Sequence, residues 1–134
     1  MRIVIDTNAL VAARWAPRGS ASQLLDLCIG GHVTVLLSPE IERENRVILR
    51  KVKPSEQFWE RLEKLYSNAL PVKPGPRITV SEDPGDNKFL ECAVAGQADY
   101  IISSDRHLLD HDGYTGIRIC KAGQFLEENP SLSG

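Results

Sequence analysis

Ile3-Val4-Ile5-Asp6-Thr7-Asn8 is the stretch on which the fold turns. Three β-branched residues in a row, stopped by an acid, read as a strand buried on both faces, because a half-exposed strand would alternate apolar with polar side chains. Outward from it, short apolar runs alternate with helical patterns. Residues 33–37, 78–80, 100–103 and 117–120 read as further strands. Ser20 is expected to cap a helix whose apolar side is Leu24, Leu25, Leu27 and Cys28, and Gly30-Gly31 stops it. Ser38-Pro39 opens a helix running to about Val52, with Ser at the cap and Pro at the first helical position.

A third helix carries Phe58, Trp59, Leu62, Leu65 and Tyr66 as core or subunit contact, and a fourth turns Phe89, Leu90, Ala93 and Val94 inward before Gly96. Short helices follow over residues 106–110 and 122–128. The stretch after the Asp-Thr-Asn strand end, with Arg14, Trp15, Pro17, Arg18 and Gly19, and residues 71–77, with three prolines and a glycine, read as loops. The alternation predicts an α/β fold in one domain over residues 1–134, a parallel sheet of about five strands covered by helices on both faces. Ligands of such sheets bind beyond the carboxyl ends of the strands.

The chain has 134 residues, 18 Asp+Glu against 16 Lys+Arg, and a formal net charge of -2. That balance excludes a protein that wraps nucleic acid by bulk charge alone. Cys28, Cys92 and Cys120 are odd in number and show no C-x-x-C pairing, so neither a disulfide framework nor a zinc ribbon is written here, and a reducing compartment is the simpler expectation. No apolar run approaches the roughly 18 residues of a membrane span. A cytoplasmic location is expected.

The chemistry lies in the acids. Asp6 ends the first strand, and Asp105 follows the strand at 100–103 inside Ser103-Ser104-Asp105; capping of the next turn explains either one alone. Glu44 lies three positions after Ile41 and four before Ile48, which sets a carboxylate on an apolar helix stripe, a costly arrangement unless it is paired or holds a metal. The turn Ser81-Glu82-Asp83-Pro84-Gly85-Asp86-Asn87-Lys88 concentrates three acids before a helix, more than capping requires. Asp83 and Asp86 compete for one role. Carboxylates of Asp6, Glu44, Asp86 and Asp105 gathered at one point would repel and raise each other's pKa. Hard cations relieve that conflict, and Mg²⁺ or Mn²⁺ is the expected type without a His or Cys set. Such clusters support two-metal phosphodiester hydrolysis, so the expected substrate is a polynucleotide.

Four blocks now stand in order: Ile3-Val4-Ile5-Asp6-Thr7-Asn8, Leu37-Ser38-Pro39-Glu40 leading to Glu44, Asp83-Pro84-Gly85-Asp86-Asn87-Lys88-Phe89-Leu90, and Ala98-Asp99-Tyr100-Ile101-Ile102-Ser103-Ser104-Asp105. Together the chain resembles the PIN-domain family, the nuclease fold of VapC-type toxin components in toxin–antitoxin pairs. The resemblance implies a three-layer fold and a metal-dependent ribonuclease site with Asp6, Glu44, Asp86 and Asp105 as catalytic acids. Asp6, Asp86 and Asp105 would hold the metal, and Asn8, Ser103 and Asp83 would support them. It also implies an antitoxin partner and a homodimer. The expected reaction is hydrolysis of single-stranded RNA to 5′-phosphate and 3′-hydroxyl ends. A growth-inhibiting toxin and a housekeeping RNA-processing nuclease share this site, whereas a non-catalytic RNA-binding or protein-interaction module would not need all four acids.

Arg43, Arg46 and Arg50 recur on one face of the Glu44 helix and are expected to grip the RNA backbone, or else to form a solvated face. Trp15, beside Arg14, reads either as a base-stacking surface or as core. His107 and His111 stand four apart, but two ligands do not make a zinc site. An aspartyl-nucleophile phosphatase would need a second Asp where Asn8 stands. A receiver domain would need an acidic pair after the first strand and a late Lys, and neither appears.

Overall fold

The computed structural model describes residues 1–133. Strands β1 (Arg2–Ile5), β2 (Thr34–Leu37), β3 (Leu70–Pro71), β4 (Tyr100–Ile102) and β5 (Arg118–Cys120) form one parallel sheet in the order β3-β2-β1-β4-β5. The helices are α1 (Thr7–Trp15), α2 (Ser20–Ile29), α3 (Pro39–Val52), α4 (Glu56–Asn68), α5 (Asn87–Ala95), α6 (Arg106–Leu109), α7 (Ala122–Glu128) and α8 (Pro130–Ser133). The expected α/β class, five-stranded parallel sheet and two-sided helical cover are all present.

Side chains alternate across the sheet. Ile3, Ile5, Val35, Ile102 and Cys120 pack on one face with Leu10 of α1, Leu24 and Leu25 of α2, Leu62 and Leu65 of α4, and Phe125 of α7. Val4, Leu36, Ile101 and Ile119 pack on the other with Phe89, Leu90 and Ala93 of α5 and Leu108 of α6. Because both faces are buried, the strands read as continuous apolar runs. Gly96, which ends α5, lets that helix approach closely: a Cβ there would lie 2.6 Å from Leu36 Cδ1. The three cysteines are buried and free.

Four expectations need correction. Residues 7–15 are helix rather than loop: Ala9, Leu10 and Ala13 are buried at helical spacing, and Asp6 caps the helix directly from the strand end. The edge strand is Leu70–Pro71, not residues 78–80. Leu70 and Pro71 pair with Leu36 and Leu37, whereas Val80 is exposed and the Ile78 N–H bonds the Glu91 carboxylate. Proline is tolerated in an edge strand, where a ladder hydrogen bond can be forgone. Val94 faces outward, and Cys92 takes the inward position expected for it. Helix α2 begins at Ser20 with Gly19 at the cap and no side-chain cap bond, while Ser38 caps α3 as expected, its Oγ accepting the Ile41 N–H.

The sheet order makes β1 central, with the chain passing to β2 on one side and to β4 on the other. A parallel sheet opens its ligand crevice where the strand order reverses in this way, at the carboxyl ends of the two strands. Asp6 follows β1 there. Ser103 and Asp105 follow β4.

Candidate metal centre

In the β1–β4 register Ile5 faces Ile102, so the next residues on each strand, Asp6 and Ser103, come side by side. The Asp6 N–H bonds the Ile102 carbonyl at 2.9 Å, and Ser103 Oγ donates to Asp6 Oδ2 at 2.6 Å. Ser103 Oγ also accepts the Asp105 N–H at 2.9 Å. One buried hydroxyl therefore fixes two acids from two strand ends.

A cleft of about 270 Å³ opens above this pair. Asp6, Asn8, Glu44, Asp83, Asp86 and Asp105 all line it. The structure thus brings together Asp6, Glu44, Asp83, Asp86 and Asp105, whereas Glu82 of the same acidic turn lines a separate cavity. Asp83, Asp86 and Asp105 each present a carboxylate oxygen within 4.8 Å of the others, a grouping able to hold a metal ion. Asp83 and Asp86, which compete for one role in the sequence, both reach the same point. Capping and a place in the cleft coexist: Asp105 Oδ1 caps α6 through the His107 N–H, and Asp83 Oδ1 accepts the Gly85 N–H.

Asp86 is different. It is buried, it makes no side-chain cap bond, and its Oδ2 is fully enclosed with no hydrogen-bond partner. A buried acceptor left without a donor is expensive. Burial pushes this carboxyl up to about 6, with the charges of Asp105, Asp83 and Asp6 adding to the effect and Lys88 opposing it. Burial likewise raises Asp6, against the hydrogen bonds from Ser103 and Asn8. An enclosed, unpartnered oxygen among converging carboxylates is suited to a hard divalent cation, which both satisfies the acceptor and removes the repulsion.

Glu44 departs from its expected setting. The buried side of α3 runs through Ile41, Asn45 and Leu49, one step round the helix, and Glu44 and Ile48 sit at its margin on the cleft. Its carboxylate is paired: Lys88 Nζ lies 2.8 Å from Oε1, and Thr7 Oγ1 is 2.6 Å from both Glu44 Oε2 and Asn45 Oδ1. The Thr7 hydroxyl has one proton and serves one of these acceptors at a time. Thr7, Asn45 and Lys88 were not assigned roles from the sequence. Their signal was faint, because each acts through a partner remote in the chain, although a Thr after a strand-end Asp and a Lys in the acidic turn were both visible.

The basic stripe does not stay together. Arg43 and Arg50 are exposed, but Arg46 is held by Glu42 at 2.9 Å and Glu63 at 2.8 Å and lies over the Tyr66 ring. Glu63 and Tyr66 both belong to α4, so Arg46 is occupied by contacts within the fold. Trp15 is 67% exposed, with the Arg14 guanidinium stacked on it. It ends α1, about 12 Å along the helix from Thr7 at the cleft. His107 and His111 line a separate cavity with Glu82 and Asp110 and do not join the acids. Among the described residues no helix is long and apolar enough to cross a membrane.

The family model described as PIN domain matches residues 2–107. The chain is 28% identical to Uncharacterized protein MJ1680 of Methanocaldococcus jannaschii, over 96% of this chain and 91% of that protein. Its fold is similar to that of VapBC2 from Rickettsia felis, solved bound to a DNA fragment from their promoter, with a TM-score of 0.59 and 16% identity over 89% of this chain and 97% of that one. It is also similar to PAE2754 from Pyrobaculum aerophilum, with a TM-score of 0.62 and 15% identity over 98% of this chain and 90% of that one.

Proposed function

The chain belongs to the PIN domain family, and from that premise we propose that it is a metal-dependent endoribonuclease, the toxin component of a toxin–antitoxin pair. The carrying observation is the enclosed, unpartnered Oδ2 of Asp86 beside Asp83 and Asp105, an acceptor that a divalent cation would satisfy. Asp86 and Asp105 would hold Mg²⁺ or Mn²⁺, with Asp83 and Asp6 completing the donor set from the turn and from β1. When bound, such an ion stabilises negative charge developing on a phosphoryl group and acidifies water.

The protein's own groups supply position. Ser103 keeps Asp6 and Asp105 at a fixed spacing through its two hydrogen bonds. Glu44, held from one side by Lys88 and from the other by Thr7, presents its carboxylate to the cleft and orients the attacking water there. Water oxygen bonds to phosphorus, the bond from phosphorus to the 3′ oxygen breaks, and the products end in 5′-phosphate and 3′-hydroxyl. Glu44 fits an orienting role better than a metal-binding one, since both its oxygens already have partners.

The VapBC2 likeness is the support for an antitoxin partner, and a homodimer belongs to the same reading. An end-labelled single-stranded RNA incubated with the protein and Mn²⁺ is expected to be cut internally, and EDTA in excess to stop the cutting. RNA left intact in Mn²⁺, or cut equally in EDTA, would remove this reading; a parallel single-stranded DNA reports whether the 2′-hydroxyl is required.

A further inference from the structure

Beside the acidic cleft lies a second cavity of opposite character, about 230 Å³ in volume. Arg43 from α3, Lys73 and Arg77 from the segment after β3, and Lys88 from α5 face it, against the carboxylates of Glu40 and Glu91. Arg77 meets Glu91 only at 3.9 Å while 82% exposed, a contact of little strength. Lys88 is held by Glu44. Among the described residues, Arg43 and Lys73 form no ion pair. Two cations therefore stand in a concave site with no salt-bridge partner, although Glu40 and Glu91 share its wall.

Lys88 is the partition between the two cavities. Its ammonium contacts Glu44 Oε1 and the Gly85 carbonyl, both on the acidic cleft, while its side chain, only 10% exposed, lines the basic cavity. The outer wall is stiff as well. Pro71, Pro74 and Pro76 restrict the segment, and the Val72 N–H is tied to the Leu37 carbonyl at 2.9 Å. A cavity of this kind is built before any ligand arrives.

We propose that this cavity is a substrate subsite that holds the backbone phosphate next to the one being cut, gripped by Arg43 and Lys73. The proposal rests on the nuclease reading above and adds the path of the strand. A polyanion entering a cleft of carboxylates needs a nearby cationic foothold, and phosphate contacts of this type fix position without reading sequence. The stripe on α3 thus contributes Arg43 to a site completed by residues far along the chain, in place of Arg46.

The test is fluorescence anisotropy with a short labelled single-stranded RNA in EDTA across a salt series. Arg43→Gln/Lys73→Gln is compared with wild type and with Arg18→Gln/Lys64→Gln, which removes the same charge from exposed positions elsewhere. The cavity variant is expected to bind about tenfold more weakly, with a salt slope shallower by about one, and the control to change less than about twofold. Equal affinity and slope in cavity variant and wild type, or equal loss in both variants, overturns the subsite. Cleavage in Mn²⁺ separates the two ideas. Wild type that cuts RNA while the cavity variant binds normally leaves the nuclease reading standing without the subsite. Wild type that fails to cut, but loses binding on Arg43→Gln/Lys73→Gln, overturns the nuclease reading and leaves the cavity a backbone-phosphate site only.

Discussion

Asp6→Asn is expected to lower Mn²⁺-dependent RNA cleavage by roughly a thousandfold while the protein stays folded. Metal-assisted stabilisation of a transition state is worth several kcal/mol, and each ~1.4 kcal/mol is a factor of ten in rate. Asp6 is the buried acid at the end of the central strand, tied to Asp105 through Ser103. Asn has the same shape and keeps one oxygen for Ser103, but it then turns an amide toward the Asn8 N–H, which now bonds Asp6 Oδ1 at 3.3 Å. The lost cap costs about 1 kcal/mol, partly offset by removal of a charge that burial disfavours. Single-turnover cleavage with circular dichroism on the same sample checks both halves. Retained activity in a folded variant would remove Asp6 from the catalytic set.

Asp86→Asn should divide stability from activity. The Asp86 carboxyl is raised to about 6 in the folded chain, against about 3.9 when unfolded. Between these values the folded state binds the extra proton, so this group's contribution to stability falls as pH rises through the window from about 4 to about 6. Above it, ionised Asp86 costs the metal-free fold up to about 3 kcal/mol, from roughly two pKa units at ~1.4 kcal/mol each. In EDTA at pH 8 the Asn variant should therefore melt higher than wild type, by on the order of 10 °C, and the two should converge near pH 4. Mn²⁺ should reverse the order, because only wild type gains binding energy on folding. Parallel melting of both proteins at all pH values would show that Asp86 carries no buried charge.

The site was legible in the sequence to the extent that local rules govern it. Asp6 and Asp105 stand at the ends of apolar β-runs, and the crevice rule for parallel sheets brings them together only if those two strands are neighbours, as β1 and β4 are. The acidic turn was legible because three acids exceed what capping needs, and Asp86 indeed caps nothing with its side chain. Helix α1 was obscured by the same residue that marks the site: Asp6 is at once strand stop, helix cap and candidate ligand, so no linker separates β1 from α1. The two-residue strand β3 was beyond local rules, since only its place beside β2 makes Leu70–Pro71 a strand.

Pairings between remote residues stayed hidden for a related reason. Glu44 reads as an unpaired acid on a core stripe because no cation stands three or four residues from it on the helix, and its partners Lys88 and Thr7 arrive from α5 and α1. A helical wheel likewise aligns Arg43, Arg46 and Arg50 but does not show that Glu63 and Tyr66 of α4 engage Arg46 while Arg43 lines a cavity. Near-neutral net charge has the same limitation. A total of -2 describes acids gathered in one cleft and cations in the cavity beside it.

Anomalous scattering from crystals of the protein soaked in Mn²⁺, at a concentration that supports cleavage, locates the ion itself. A peak is expected in the cleft, bonded to Asp86 Oδ2 and Asp105 and absent from Asp86→Asn crystals. No peak among Asp6, Asp83, Asp86 and Asp105 under those conditions would contradict the account.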